Sequence, residues 1–410
     1  MKVLVINCGS SSIKYQLHDV DNRQVLARGI VARIGEEGSY IEYEVRGSKL
    51  RREIPIQSHR SGFELMVESL LDYNHGVIRN LSEISAVGHR TVHGGNTFTG
   101  STLITEDVIK KMETCVPLAP LHNPANLMGI KEARRIFPNV PHVAVFDTAF
   151  HQTMPPKAYL YALPYEYYEN YEIRRYGFHG TSCRYVSQRT AELLNRTPEE
   201  LKMVICHLGN GVTIDAVSGG KSIDTSLGFT PLPGVMMGTR CGDIDPGVII
   251  YMHRQLGLSL DRIDNILNRE SGLLAVSGVS NDMRVIIENA MHGNERCRLA
   301  MEMFTYQVKK FVGAYAAAMG GIDALVFTAG IGENSPLIRA MVCEGLGFLG
   351  VKIDEAKNSN TLGMERIISS ASSTVKVLVV PTNEEQVIVQ DTIALAFGHT
   401  EIDTKGKERQ

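Results

Sequence analysis

The chain has 410 residues, 43% of them hydrophobic and 21% charged, and a net charge of −3. That length suffices for two domains with full cores. Interspersed charges of nearly balanced sign argue against a nucleic-acid or membrane partner; no apolar run reaches membrane-spanning length, and the first residues enter a strand with no basic-apolar signal pattern. The seven cysteines are scattered and form no C-x-x-C pair, so a reduced, cytoplasmic setting and no zinc site are expected.

Val3 to Ile6 is an apolar, β-branched run of strand length. It breaks into Asn7-Cys8-Gly9-Ser10-Ser11-Ser12, and Lys14 then sits among alternating Ile13, Tyr15 and Leu17, which predicts a return strand. Turn amides, hydroxyls and a lysine at the tip of such a hairpin suit an anion, and an ordinary serine-rich turn is the competing reading. Alternating apolar and charged residues predict antiparallel strands over 17–56, and helical spacing follows over 62–73. A strand over 84–87 leads into the loop Gly88-His89-Arg90-Thr91-Val92-His93-Gly94-Gly95. His89 and His93 have an i, i+4 spacing but lack the glutamate of H-E-x-x-H and run straight into glycines, so they are not expected to bind metal. Arg90, a planar donor fork at a strand end, suits a carboxylate or phosphate, with a plain salt bridge as the alternative. A proline-punctuated loop over 117–124 precedes a helix over 125–136, and a buried strand over 143–146 ends in Asp147. An acid there suits a metal-bound water, a general base or a turn cap. The Pro- and Tyr-rich stretch 151–178 has no clean period, which places a boundary near 150. The first domain is then 1–150 with the C-terminal segment 385–410, and the second is 151–384.

His179 stands at the tip of a glycine-flanked loop, with a helix predicted over 182–194 and a capping box at Thr197-Pro198-Glu199-Glu200. A strand over 203–206 ends in His207-Leu208-Gly209-Asn210-Gly211, and another over 324–327 ends in Thr328-Ala329-Gly330-Ile331-Gly332-Glu333-Asn334-Ser335. With the first hairpin these make three strands that end in glycine-rich polar turns. None is a Walker A loop or a dinucleotide fingerprint. Their spread over two halves of the chain points to an ATP cleft between duplicated α/β domains. The irregular segment 230–246 is long enough to be functional, with Arg240 as its anion ligand and Asp243 and Asp245 as turn caps or partners of Arg240. A long core helix over 294–319 stops at Gly320-Gly321. A last strand over 377–380 runs into Pro381-Thr382-Asn383-Glu384-Glu385 and a helix over 386–397, and 400–410 reads as a frayed tail.

Several of these stretches carry a resemblance: VINCGSSSIKYQL (5–17), GHRTVHGG (88–95), PLAPLHNPAN (117–126), VAVFDTAFHQT (143–153), RRYGFHGTS (174–182), HLGNG (207–211), DTSLGFTPLPGVMMGTRCGDIDP (224–246), ESGLL (270–274), FTAGIGENS (327–335) and PTNEE (381–385). Together they resemble the acetokinase family, in the superfamily of actin, sugar kinases and heat-shock chaperone ATPases, nearly end to end. The resemblance implies two duplicated ribonuclease-H-like domains closing over a cleft, a homodimer, and the reaction ATP + acetate ⇌ ADP + acetyl phosphate with Mg²⁺, or Mn²⁺ in its place. It assigns Ser10, Ser12 and Lys14 to the phosphates, and Asn7 and Glu384 to the metal. It assigns His207, Leu208, Gly209, Asn210, Gly211, Asp282, Met283, Arg284, Gly330, Ile331, Gly332, Glu333 and Asn334 to the nucleotide. Arg90 and Arg240 would bracket acetate and the transferring phosphoryl, His179 would donate to its oxygens, and Asp147 matches the position assigned as catalytic acid/base. A carboxylate nucleophile needs no deprotonation at neutral pH, which favours an orienting or metal-water role for Asp147. Val92, Leu121, Phe178 and Pro231 would hold the methyl group. Cys183, Pro233 and Cys241 depart from residues common in the family, as does the 212–220 segment. A propionate or butyrate kinase is the near alternative, against which Val92 argues; a non-metabolic ATPase of the superfamily is the remote one.

Overall fold

The computed structural model describes residues 1–398; the tail read as frayed, 400–410, lies outside them. Contacts group the chain into two units, Met1–Ala149 with the segment that starts at Asn383, and Phe150–Thr382. Among the described residues, no helix is long and apolar enough to cross a membrane.

The first unit is built on eight strands: β1 (Lys2–Cys8), β2 (Ser12–Asp19), β3 (Gln24–Ala32), β4 (Tyr40–Val45), β5 (Ser48–Glu53), β6 (Ile84–Thr91), β7 (Thr102–Leu103) and β8 (His142–Phe146), in the order β5-β4-β3-β2-β1-β6-β8-β7. β1 to β5 form an antiparallel meander, and β6 and β8 continue it in parallel with β1. β8 is buried at every residue, as a parallel strand covered on both faces must be. Alternate residues of β1 serve opposite cores. Leu4 and Ile6 pack with Phe63, Met66 and Leu70 of the helix His59–Leu71, while Val3 and Val5 pack with Ile388 and Ile393 of the helix Glu384–Phe397. That last helix approaches β6 at Gly88, where a Cβ would lie 2.5 Å from Ile388 Cγ2 and 2.5 Å from Thr392 Oγ1. The bare glycine thus lets the helix lie close to the strand that carries Arg90.

The second unit holds β9 (Lys202–Leu208), β10 (Val212–Ser218), β11 (Lys221–Thr225), β12 (Ala324–Thr328), β13 (Arg366–Ile367) and β14 (Lys376–Val379), in the order β11-β10-β9-β12-β14-β13. β9, β10 and β11 are antiparallel, and β12 and β14 run parallel to β9. The series β3-β2-β1-β6-β8 of the first unit therefore recurs as β11-β10-β9-β12-β14, and the α/β fold is duplicated. Helix Gly180–Leu193 packs Cys183, Val186 and Ala191 on this sheet, and the stripe of helix Glu295–Met319 is core at Ala300, Phe304, Val308, Val312 and Tyr315.

Three local expectations change. β6 runs through Thr91, so His89 and Arg90 lie on a strand rather than in a glycine loop, because β1 and β8 pair with it on both sides. The third glycine turn is a short helix, Ala329–Asn334, entered through a left-handed residue, Ala329, at φ 63°. Short helices, Pro156–Tyr159 and Glu166–Tyr171, occupy the stretch that had no period.

Candidate active site

In the first unit the parallel pairing of β6 and β8 brings their ends together. The Asp147 amide donates to Thr91 O at 2.9 Å, and Arg90 Nη2 donates to Asp147 Oδ2 at 2.6 Å. Arg90 Nε is 3.6 Å from Glu384 Oε2, at the first residue of the helix packed on Gly88. Asp147 is fully buried. Its carboxylate, aided by Glu384, holds Arg90 firmly charged against the cost of burial. Glu384 itself is pushed up to about 7, chiefly by burial, with Arg90 opposing and Asp147 adding to the rise. Asn7 is the cross-strand partner of Lys14, and both line a cavity of about 240 Å³ with Glu385. The hairpin tip is less open than expected: the Gly9 amide is committed to Ser12 O at 2.8 Å, which leaves fewer backbone donors for a ligand beside the exposed Ser10 and the half-buried Ser12.

Val92 follows β6 and is clamped from helix Asn123–Ile136. Its amide donates to Asn126 Oδ1 at 3.0 Å, while Asn126 Nδ2 donates to Cys8 O at 2.8 Å. Asn123 bonds both the amide and the carbonyl of His93 in the same way. Two asparagines of the 117–126 motif thus fix the segment behind Arg90. Val92 is almost buried, whereas Leu121 is 63% exposed. Neither histidine of the i, i+4 pair faces a shared metal position. His89 Nε2 bonds His142 Nδ1 at 3.0 Å, and His93 Nδ1 accepts from the Gly95 amide. Among the described residues, no group of three or more His, Cys, Asp or Glu is placed to hold a metal ion by itself.

In the second unit His179 caps helix Gly180–Leu193 in the left-handed region, φ 58°, a backbone state that costs a non-glycine residue about 1–3 kcal/mol and clusters at functional positions. Its ring stacks on His207 with centroids 4.3 Å apart, and its Nδ1 is 2.9 Å from Thr213 Oγ1. His207 is held in turn by Ser182, which also bonds Thr382. Gly211 lies between the key side chains: a Cβ there would stand 3.1 Å from His179 Cε1 and 3.6 Å from Arg240 Nη1. Arg240 Nη1 makes a carbonyl contact with Pro231 at 3.3 Å and a thioether contact with Met237 at 3.6 Å. Among the described residues no carboxylate pairs with it, and burial lowers its pKa. Asp243 caps the Gly234 amide and Asp245 caps helix Pro246–Arg254, so neither is its partner. Phe178 is buried and Pro231 is half-buried.

A cavity of about 480 Å³ in this unit is lined by Gly209, Asn210, Asp282, Met283, Arg284, Gly330, Ile331 and Asn334. Three separate segments of the sequence meet there. His207, Leu208, Gly211, Gly332 and Glu333 lie outside its lining: Leu208 is a buried strand residue, and Glu333 turns inward to accept from the Thr382 amide at 3.1 Å. Sequence reasoning missed Arg339. It is fully buried and donates five hydrogen bonds, to the carbonyls of Gly332, Glu333, Asn358 and Thr361 and to the Asn358 side chain. Burial pushes it down to about 10. Its only sequence signal is an arginine on the apolar side of helix Pro336–Cys343.

The model of the acetokinase family matches residues 2–390. The chain belongs to the acetokinase family. The acetate kinase of Thermotoga maritima is 57% identical over 396 residues, spanning 96% of this chain and 98% of that protein. Among solved structures, Porphyromonas gingivalis acetate kinase superposes with a TM-score of 0.93 at 48% identity, over 96% of this chain and 99% of that one. A propionate kinase from Francisella tularensis superposes with a TM-score of 0.90 at 44% identity, again over 96% and 99%. Solved structures similar to this chain thus include both an acetate kinase and a propionate kinase.

Proposed function

We propose that the chain is a kinase that moves the γ-phosphoryl of ATP directly and reversibly to acetate, giving ADP and acetyl phosphate. The observation that carries this reading is 57% identity, nearly end to end, to an acetate kinase, against 44% to a propionate kinase. Acetate and the γ-phosphate are both anions, so the chemistry needs charge compensation and in-line placement more than a base. Arg240 supplies a half-buried cation with no carboxylate of its own, beside His179 and the Gly209–Gly211 turn. The 480 Å³ cavity is the seat for the nucleoside. Arg90 has Asp147 and Glu384 already at hand, so its group is close to neutral and better suited to a cation than to a bare anion. Asp147 orients Arg90 and abstracts nothing, since acetate is ionised at neutral pH as a side-chain carboxylate is.

A divalent metal fits the first unit's donors. Half-buried Glu384 and the Asn7 amide offer hard oxygens in small number, with Lys14, exposed on β2 across from Asn7, for the phosphates. Mg²⁺, which keeps several waters and leans on substrate phosphates, accepts such a set, and Mn²⁺ is the substitute. Asn7 and Glu384 would hold it, and when bound it supplies charge neutralisation on the phosphates. Glu384→Ala should raise the Mg²⁺ requirement sharply; an unchanged requirement would move the assignment to Asp147. A cytoplasmic homodimer completes the proposal. Its support is the apolar exposure of Val248, Ile250, Tyr251, Leu256 and Leu260 along and after helix Pro246–Arg254, a surface that a second copy would cover. Trapping the acyl phosphate with hydroxylamine, from acetate, propionate and butyrate with MgATP, tests the reaction. Acetate should give the highest kcat/KM, and a preference for propionate would transfer the chain to the near alternative.

A further inference from the structure

We propose that a buried chain of groups, Asp215–Ser222–His151, acts through the Phe178 carbonyl and the Thr213 hydroxyl to hold His179 as the neutral tautomer with its proton on Nε2. Asp215, Ser222, His151 and Thr213 are all fully buried. His151 Nε2 lies 3.0 Å from Phe178 O, and a carbonyl can only accept, so Nε2 carries a proton. His151 Nδ1 is 2.9 Å from Ser222 Oγ, which is 2.8 Å from Asp215 Oδ1. The serine has one proton for two neighbours. Either the imidazole is doubly protonated beside a carboxylate, or a neutral carboxylic acid donates to Ser222 and Ser222 donates to Nδ1. Both arrangements hold one proton more than a neutral imidazole plus a carboxylate, and that proton belongs to the pair. Without it the neutral ring has a single proton, and the competing arrangement, Nδ1–H to Ser222 to the Asp215 carboxylate, would take that proton away from the Phe178 carbonyl. Tyr315 and Asp224 are further titratable groups that interact with Asp215, and Arg175 in turn faces both of them.

The consequence falls on His179. Thr213 Oγ1 has a choice of two acceptors, Phe178 O at 3.4 Å and His179 Nδ1 at 2.9 Å. With His151 already serving Phe178 O at the shorter distance, the hydroxyl proton goes to His179 Nδ1. A neutral His179 then carries its proton on Nε2. Arg240 shares the Gly211 surface with the His179 ring, and His207 is stacked upon it. Gly177 at φ 76° seats the relay, since a Cβ there would lie 2.7 Å from His151 Cδ2. An Nε2–H donor that persists without a charge change is what a hydrogen bond to a transferring phosphoryl requires. This use of His179 rests on the proposed phosphoryl-transfer reading, and Thr213, His151, Ser222 and Asp215 are positioning residues for it.

¹⁵N-histidine labelling of the full chain tests the assignment, with the His179 signals identified by their loss in His179→Gln. Between about pH 6 and 9 the wild type should show His179 neutral and protonated on Nε2. Asp215→Asn should keep that tautomer, because the amide donates to Ser222 and frees its proton for His151 Nδ1. Thr213→Val should give mixed tautomers that titrate, with kcat reduced about tenfold at alkaline pH, regained on acidification, and with ATP KM little changed. His179 protonated on Nδ1 in the wild type, or a tautomer untouched by Thr213→Val, would overturn the proposal. The spectra need no turnover, so failure to form acetyl phosphate would remove the functional reading and leave this result standing.

Discussion

Arg90 and Arg240 stand in opposite electrostatic surroundings. Among the described residues Arg240 has no anionic partner, so Arg240→Ala should cost on the order of 10²–10⁴ in kcat while folding stability barely moves. Arg90→Ala should lower kcat too, but it also strands the buried Asp147, and breaking such a pair costs about 3–5 kcal/mol. Thermal melts beside steady-state kinetics check this: equal melting temperatures for the two variants would show that the Arg90 pair is not the buried anchor described. We propose that Val92, whose amide is held by Asn126 and whose side chain is stiff at χ1, lines the acyl site and leaves little room there for an extra methylene. Val92→Ala should narrow or invert the acetate-to-propionate ratio of kcat/KM, within the roughly 10–200-fold that one methylene commands. An unmoved ratio would remove Val92 from the acyl-contacting residues. Arg90, His179 and Arg240 stand out in the sequence because glycines or prolines lie close to them, whereas Val92 is singled out only by the family resemblance. Thr213 and Ser222 do not stand out, because their meaning lies in partners 34 and 71 residues away.

Strand ends organise the elements. The hairpin β1–β2 was readable from an apolar run, a glycine turn and alternation, and β9 from an apolar run and its glycine turn, whereas its return strand β10 was not foreseen. β6 was read four residues short, because a parallel strand paired on both sides tolerates histidine and arginine that would otherwise signal a loop. The third turn was read as a loop because its glycines are plain in sequence, while the cation that holds it as a helix is not. Arg339 accepts no replacement that restores its five bonds. Arg339→Met should destabilise the fold by roughly 3–5 kcal/mol, several buried carbonyls losing their donor at once. Because Gly332 and Glu333 belong to the helix whose Gly330 and Asn334 line the cavity proposed for the nucleoside, ATP KM should rise more than acetate KM. Denaturant melts and the two KM values decide; a stable variant with normal ATP KM would contradict the pinning role.

At the scale of the whole molecule, the repeated strand order was visible in sequence only as recurring glycine turns; the crossovers that set β6, β8, β12 and β14 leave no local mark. Buried imidazoles make stability depend on pH. His93 is pushed down to about 4 and His89 well below its ordinary value, both by burial. Their contribution is complete above the unfolded pKa near 6.5 and is lost as pH falls toward the folded value. Glu384, pushed up to about 7, acts in the opposite sense and favours the fold as pH falls below 7. His93→Gln should therefore lose less stability than the wild type between about pH 7 and 5, and parallel melting curves would contradict a neutral buried His93. The most direct measurement is ³¹P NMR of the protein with Mg²⁺, ATP and acetate. The γ-phosphate should give way to ADP and an acyl phosphate in equal amounts, with Arg240→Ala nearly silent; release of inorganic phosphate regardless of acetate, or of AMP with pyrophosphate, would contradict phosphoryl transfer to acetate.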